Sequence, residues 1–377
     1  MHMRRFFLPV GQGAFYLERF WLPDQEHPIN VVYDCGSCSG KEILPSVIRE
    51  LFHKREEIAA VFLSHLHEDH VNGLPSLLQH CHVKKVYFPE IDNEDILLLQ
   101  LQNRANGLAD HAFSQRLLQS LPDPRSHLFP TSETMWISVR EANADIDKED
   151  DSRRKFPQSL SDLCEKSLSA QGDDWLFVPF NFHRKFIVDK LRERLCESLH
   201  LERNELTNDI LRARWEQNEK TRRKIKTVFK SIVGEFNTNS MTLFSGWRSN
   251  NGFQIAQCGC PCPNPHYRRC FWNEPSSAGC LYTGDYNASG SKEWKTLKEH
   301  YKQYWHSIGC VQIPHHGSNE NFNDELCELN AYLVISAGRD NKYHHPHVGV
   351  LVKLCENGRL PAVVTQDPFS MFSTLVR

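Results

Sequence analysis

The sequence predicts a layered α/β fold, on three observations. Near the N-terminus, short β-branched and aromatic runs alternate with helical segments in the order strand, helix, strand. After a long polar stretch, the same alternation resumes toward the C-terminus. Several of the apolar runs are followed at once by loops rich in His and Asp, and α/β proteins place their sites at the carboxyl ends of strands.

VGQGAFYLERF (10–20) and INVVYDCG (29–36) read as strands, with Gly and Pro punctuation between them. KEILPSVIRELFHKREE (41–57) carries Ile43, Leu44, Val47, Ile48, Leu51 and Phe52 at helical spacing. AAVFL (59–63) is the next strand, and SHLHEDH (64–70) is the loop after it. LPSLLQHC opens a helix and VKKVYFPE (83–90) reads as another strand. From 92 to 236 the pattern gives way to helical stretches and polar linkers, among them the exposed loop EANADIDKEDDSRRK (141–155). Strands resume at SMTLFSGW (240–247), GCLYTGD (279–285), CVQIP (310–314) and AYLVISAG (331–338). Helices are expected between the last three, over EWKTLKEHYKQYWHS and DELCELN. The expected organisation is a core in two halves, 1–91 and 237–377, separated by a helical, basic insertion over 92–236.

With 377 residues, the chain has room for two units or for one core with a large insertion. The net charge of −3 gives no global attraction to nucleic acid or to an acidic membrane surface. The charge is unevenly spread. Residues 184–230 carry a net +6, and the rest of the chain a net −9. A basic helical face is either a solvated surface or a contact for phosphates. No apolar run approaches the roughly 18 residues needed to span a bilayer. Gly11, Gln12, Gly13 and Glu18 interrupt any leader-like stretch, so the expected location is the cytoplasm, with no membrane partner. The 13 cysteines are then expected as reduced thiols or metal ligands.

SHLHEDH concentrates the chemistry. Neutral imidazole and carboxylate both bind borderline divalent metals. His65 and His67 are two apart, so in an extended loop they point the same way. Asp69 and His70 are adjacent, where the chain turns into a helix. One short loop can then serve two ions about 3.5–4 Å apart. The bland alternative is a set of surface histidines, since the chain has 20 of them. An HxH alone would not exclude that, but HxHxDH directly after an apolar strand points to metal.

HxHxDH followed by xxGL resembles the signature of the metallo-β-lactamase fold superfamily. Further motifs occur in order: Asp34 in VVYDCGS, Asp285 in LYTGD, then IPHHGS (313–318) and NKYHHPH (341–347). VGQG, NTNS (237–240), TGD, PHHGS and SAGRDNKYHHP (336–346) together resemble one subgroup of that superfamily. It includes the soluble metallo-β-lactamase-like domain of competence (DNA-uptake) channel proteins and related bacterial hydrolases. The resemblance covers about 1–90 and 237–360, without the insertion and without a membrane channel.

The resemblance implies an αββα sandwich with a dinuclear metal site along one edge. It implies that His65 and His67 bind one metal, that Asp69 and His70 bind the other, and that Asp285 bridges them. Asp34 is implied as a structural residue near the metal loop. His345 is the expected late ligand of the second metal, with His344 and His347 as rivals. Of His315 and His316, one is a candidate ligand and the other a candidate proton donor to the leaving oxygen. Catalytic roles are thus expected for Asp69, Asp285, His315 and His316. The third histidine of the first metal is open between His316, His266 and water. His111, His127 and His183 read as structural or surface residues, and Glu68 has no ligand position. Redox di-iron relatives carry Glu at the position of His67, so His67 favours hydrolysis.

QCGCPCPNPHYRRCFWNEPSSAGC (257–280) offers Cys258, Cys260, Cys262, Cys270 and Cys280 as ligands of a structural zinc, against the plainer reading of unpaired thiols. The expected function is a hydrolase using two divalent ions, Zn or Mn, on the phosphodiester bonds of DNA or RNA. One alternative is a small phosphodiester, a cyclic nucleotide or a phosphocholine ester. Another is a regulatory or partner-binding module of a bacterial system such as phage defence, with protein partners from a multi-gene set.

Overall fold

The computed structural model describes residues 1–91, 96, 99–100, 103–104, 112–120, 133–139, 156–166, 168, 170–181, 185–231, 240–248, 255–258, 275 and 277–376. The chain opens with a meander of β1 (His2–Phe7), β2 (Phe15–Trp21) and β3 (Ile29–Cys35). Helix α1 (Ile43–Leu51) follows, with Leu44 and Ile48 buried. It is shorter than the apolar spacing suggested. Phe52 takes an extended conformation, and the Glu56 carboxylate accepts the N–H of His53 in a turn that ends the helix.

Next come β4 (Glu57–Ile58), β5 (Ala60–Phe62), α2 (Glu68–Val71), α3 (Leu74–His80), β6 (His82–Val83) and β7 (Lys85–Pro89). The middle of the chain supplies α4 (Phe113–Ser120), β8 (Met135–Val139), β9 (Gln158–Ser159), α5 (Leu160–Cys164), α6 (Ala170–Asp174) and β10 (Trp175–Phe180). Helices α7 (Lys185–Leu199), α8 (Asn208–Gln217) and α9 (Glu219–Lys230) come after it. The last part holds β11 (Thr242–Trp247), β12 (Ile255–Cys258), β13 (Gly279–Tyr282), α10 (Ser291–His300), β14 (Ile308–Gln312), β15 (Tyr332–Ser336), α11 (Val348–Glu356), β16 (Ala362–Val364) and β17 (Phe372–Val376). DELCELN forms a single 3-10 turn, Asp324–Glu328, instead of the expected helix.

The strands form two large sheets. One runs β12-β17-β1-β2-β3-β5-β7-β8 and the other β16-β15-β14-β13-β11-β10-β9. Three apolar clusters separate four layers. Met3, Phe7, Tyr16, Phe62, Phe177, Leu243 and Tyr282 fill the space between the sheets. Leu44, Ile48, Leu74 and Leu77 seal helices on the outer face of the first sheet. Trp294, Leu297, Val350 and Leu354 do so on the second. This is an αββα sandwich, as the sequence predicts.

The stretch 92–236 differs from the expected helical insertion. It supplies β8 to the edge of one sheet and β9 and β10 to the edge of the other. Strand β10, WLFVPF, is buried at all six positions. A strand buried on both faces loses the alternating pattern and is hard to tell from a helix by periodicity. Pro179 adds to the disguise. It is tolerated because β9 pairs only with Leu176 and Phe177, so beyond them that edge of β10 needs no N–H donor. The longest described helices of this stretch are α7, α8 and α9, which pack on one another around Leu191, Leu195, Leu211, Trp215 and Ile225.

The cysteines of the 257–280 stretch divide. Cys260, Cys262 and Cys270 lie outside the described residues, as does the side chain of Cys258 in β12. Cys280 is a buried free thiol on β13, in register with Cys310 of β14. Burial pushes its pKa well up, and a hydrogen bond to Cys310 adds to this. Among the described residues, Cys280 belongs to the core between the sheets rather than to a thiolate cluster.

Candidate metal centre

Five loops meet at one end of the sandwich, and each follows the carboxyl end of a strand that pairs in parallel. They follow β3 and β5 of one sheet and β13, β14 and β15 of the other. They deliver Asp34, the His65–His70 loop, Asp285, His315 with His316, and His345. The expected residues from five separate motifs therefore converge.

Asp285 is the pivot. Its Oδ2 lies 3.5 Å from His65 Nε2 and 3.5 Å from His315 Nε2. Its Oδ1 lies 3.2 Å from His70 Nε2 and 3.9 Å from His316 Nε2. One carboxylate thus turns one oxygen to each half of the centre. Two triads have ligand atoms within 4.8 Å of one another: His65, His67 and Asp285, and Asp69, His70 and His316. The Nε2 atoms of His65 and His70 and the Oδ1 of Asp285 are buried without a hydrogen-bond partner. Buried polar atoms left unpaired are costly, and here they converge on the same small space. With imidazoles and carboxylates as donors, the residues fit two divalent ions.

The far nitrogens are held in place. His70 Nδ1 lies 2.8 Å from Asp34 Oδ2, and His65 Nδ1 lies 2.9 Å from Ser64 Oγ. His315 Nδ1 is 2.8 Å from Asn321 Oδ1, and His316 Nδ1 is 2.8 Å from the Ser336 carbonyl. Pinning Nδ1 in this way orients each ring so that Nε2 points inward, the usual support of a metal-binding histidine. Asp34 is fully buried, takes φ 56°, and also accepts Ser64 N–H and Ser64 Oγ–H, each at 2.7 Å. His315 (φ 48°) and His316 (φ 56°) also occupy the left-handed region. Two adjacent non-glycine residues there are strained, and such strain clusters at functional sites.

Ser240, the last residue of NTNS, accepts the Asp285 N–H at 2.8 Å and fixes the pivot. Gly284, at φ 54°, passes so close to Ser240 and Ser64 that a Cβ would fall 2.4 Å from Ser240 Oγ, so the TGD turn admits only glycine. Gly13 of VGQG, at φ 152°, lies against the backbone of Asp69. Asn237, Thr238, Asn239, His266, His111, His127 and His183 lie outside the described residues.

Electrostatics separate the two halves. Burial alone would raise the Asp285 carboxyl, but His315, His70 and His65 hold it well below its ordinary value. Burial likewise opposes ionisation of Asp69, and His70 and His316 outweigh it. His70 is pushed well up, against burial, by Asp285, Asp34 and Asp69. His316 is also raised, against burial, by Asp69 and Asp285. His65 and His67 are driven down, chiefly by burial. The field at the Asp69–His70 half therefore favours positive charge, which is what a cation site requires.

Two expected assignments change. His316 was one candidate for the His65–His67 side, beside His266 and water. Its Nε2 is instead 3.3 Å from Asp69 Oδ2, in the second triad. His315 is the one facing the oxygen that His65 faces. The reason is local: the left-handed pair of residues turns neighbouring side chains toward opposite halves. His345, expected in the second site, stands outside both triads. Its ring lies 5.4 Å from that of His315 and 6.2 Å from that of His316. His344 and His347 are exposed, and His347 caps α11 through the N–H of Gly349.

Sequence reasoning missed Asn321, whose Nδ2 donates to the Asp285 carbonyl at 3.1 Å while its Oδ1 meets His315. No motif flags a lone Asn four residues beyond an HHG. Glu68 also acquires a role. Its carboxylate accepts the N–H groups of Phe113 and Ser114, at 3.3 and 2.9 Å, at the start of α4. It ties the middle segment to the metal loop.

Residues 29–149 match the family model of the metallo-beta-lactamase superfamily, which spans the His65–His70 loop. The chain carries a metallo-beta-lactamase superfamily domain. The fold is one of metallohydrolases, and the two-oxygen presentation of Asp285 belongs to the same picture. A curated relative, ComE operon protein 3 of Bacillus subtilis (strain 168), is 30% identical over 82 residues, 21% of this chain. The match spans only 10% of that protein's length. Two solved structures resemble the chain at low identity. MEM-A1, a subclass B3 metallo-beta-lactamase isolated from a soil metagenome library, is 12% identical with a TM-score of 0.31, over 83% of this chain and 81% of that one. Unliganded yeast PDE1 is 11% identical with a TM-score of 0.44, over the whole of both chains. Among the described residues, no helix is long and apolar enough to cross a membrane.

Proposed function

We propose that this metallo-beta-lactamase superfamily domain is a dinuclear metallohydrolase that cleaves phosphodiester bonds in DNA or RNA. The observation that carries the metallohydrolase reading is the split of Asp285, one oxygen toward His65 and His315 and the other toward His70 and His316. Two features support the phosphodiester reading. The PHHGS and NKYHHP motifs resemble those of the DNA-uptake subgroup, and residues 184–230 carry a net +6 suited to a phosphate backbone.

In this reading His65, His67 and His315 would hold one ion, and Asp69, His70 and His316 the other. Asp285 would contribute one carboxylate oxygen to each set. Bound divalent ions of this kind supply activation of water near neutral pH and stabilisation of charge on the reacting oxygens. The protein's own residues do the rest. Asp34, Ser64, Asn321 and the Ser336 carbonyl keep each ring aimed. His345 lines the substrate side and offers a hydrogen bond to the phosphoryl or leaving oxygen.

The test uses purified protein loaded with Zn²⁺ or Mn²⁺, its metal content measured. Single- and double-stranded DNA and RNA oligonucleotides and bis(p-nitrophenyl) phosphate are offered as substrates. Cleavage of an oligonucleotide is expected. Hydrolysis of the small ester alone would move the assignment to a small phosphodiester. No hydrolysis with both ions bound would reject it.

A further inference from the structure

Three residues before Pro346, one large aromatic ring stands at the mouth of the centre. Tyr343 is 54% exposed. Its ring is stacked on that of His345, 5.8 Å between centroids and 23° between planes. His345 in turn contacts the rings of both His315 and His316. Lys342 Nζ sits 4.9 Å from the Tyr343 ring centroid.

The loop is built, not loose. Asn341 Oδ1 accepts the N–H groups of Tyr343 and His345, at 3.1 and 2.9 Å. Asn341 Nδ2 donates to the carbonyls of Gly338 and His345. One half-buried amide thus fixes the backbone of both Tyr343 and His345. Despite its stacking on His345, the Tyr343 ring stays more than half exposed, where an aromatic ring offers a stacking surface.

We propose that Tyr343 is a base-stacking platform that positions the nucleotide next to the scissile phosphodiester, with Lys342 as the adjoining phosphate contact. The inference rests on the nucleic-acid reading above and adds its specificity: an unpaired base beside the cut. Stacking on an aromatic ring tolerates any base, because every base has a π face. It needs the base to be free, so single strands and frayed ends are the favoured substrates. Lys342, now over the ring, is flexible enough to swing to a phosphate as the base takes its place.

Tyr343→Ala and Tyr343→Phe test this against a fluorescent single-stranded oligonucleotide and methyl p-nitrophenyl phosphate, which has no nucleobase. With Tyr343→Ala, the ratio of kcat/KM on the oligonucleotide to kcat/KM on the small ester falls about tenfold, mostly through KM. Tyr343→Phe, which keeps the π face, stays within about twofold of the parent ratio. In a binding readout, an oligonucleotide carries 2-aminopurine beside a methylphosphonate that resists cleavage. Its fluorescence is quenched on binding to the parent and to Tyr343→Phe, and not on binding to Tyr343→Ala. An unchanged ratio in Tyr343→Ala overturns the platform. So does an equal loss on both substrates, which marks a structural role for the loop. If the parent hydrolyses the small ester but neither cuts nor binds the oligonucleotide, the nucleic-acid reading itself fails and the platform with it.

Discussion

Two buried polar clusters lie in the sandwich, and they are built on opposite plans. Midway along the sheets, Arg5 and Glu18 are register partners on β1 and β2, pointing between the sheets where Met3, Phe7, Tyr16 and Phe20 are apolar. Glu18 receives Arg5 Nε at 2.7 Å, Tyr282 O–H at 3.0 Å and the Ser245 hydroxyl. Arg5 Nη1 reaches the Ala278 carbonyl at 3.2 Å. This cluster nearly closes on itself, with only Arg5 Nη2 unpaired. At the end of the sandwich, His65 and His70 each leave Nε2 unpaired toward a carboxylate that also keeps an unpaired oxygen. The closed cluster joins the two sheets. The open one presents donors whose chemistry fits divalent ions.

That contrast can be broken most directly at Asp285. Asp285→Asn is expected to release metal from both halves and to lower turnover beyond the ~10²–10³-fold cost of removing one electrostatic stabiliser. Metal stoichiometry and kcat are the readouts, and a variant retaining both ions would erase the distinction between the clusters. At the closed cluster the expected loss is of stability, not of metal. Glu18→Leu leaves Arg5 buried without its partner and should cost about 3–5 kcal/mol in urea unfolding, with metal content per folded protein unchanged. Adding Arg5→Met should restore much of that loss, since a well-packed apolar pair often replaces a buried ion pair.

A smaller effect is expected from the residue behind the open cluster. Asp34→Asn removes the carboxylate that orients His70 and should weaken binding of the second ion by about 10–100-fold, measured by competition with a chelator. The smallest effect comes from an orphaned histidine whose pKa is shifted by burial. His300 stacks on Phe180 at 4.4 Å, has a buried Nε2 without a partner, and is pushed down to about 4 by burial. Its folded pKa lies below its unfolded one. The associated stability is therefore complete above about pH 6.5 and declines as pH falls toward 4. Between pH 7 and 4.5, the stability difference between the parent and His300→Gln should shrink by about 1–2 kcal/mol, after allowance for partial exposure. An identical pH slope in both proteins would show that burial alone does not make an orphaned imidazole costly.

Much of the centre was legible because its chemistry is local. HxHxDH sets its own geometry: the strand β5 ends, the chain turns, and four donors emerge within six residues. TGD and the serine of NTNS were legible as motifs, and their meeting across 45 residues gives them their use. The core strands of both halves were also legible, since their apolar runs are bounded by turns. β10 was not, because a doubly buried strand with a proline carries no period to read.

By itself, the sequence determined the layer architecture and which residues are rich in metal donors. Only the tertiary structure decided how those donors are shared. His315 and His316 are chemically identical neighbours, and no spacing rule assigns them. Their left-handed backbone, held by Asn321 on one side and the Ser336 carbonyl on the other, sends one toward each oxygen of Asp285. It also leaves His345, with Tyr343 stacked on it, beside their rings but outside both triads. Motifs record which atoms are available. Where each atom points depends on torsions and on partners far away in the chain.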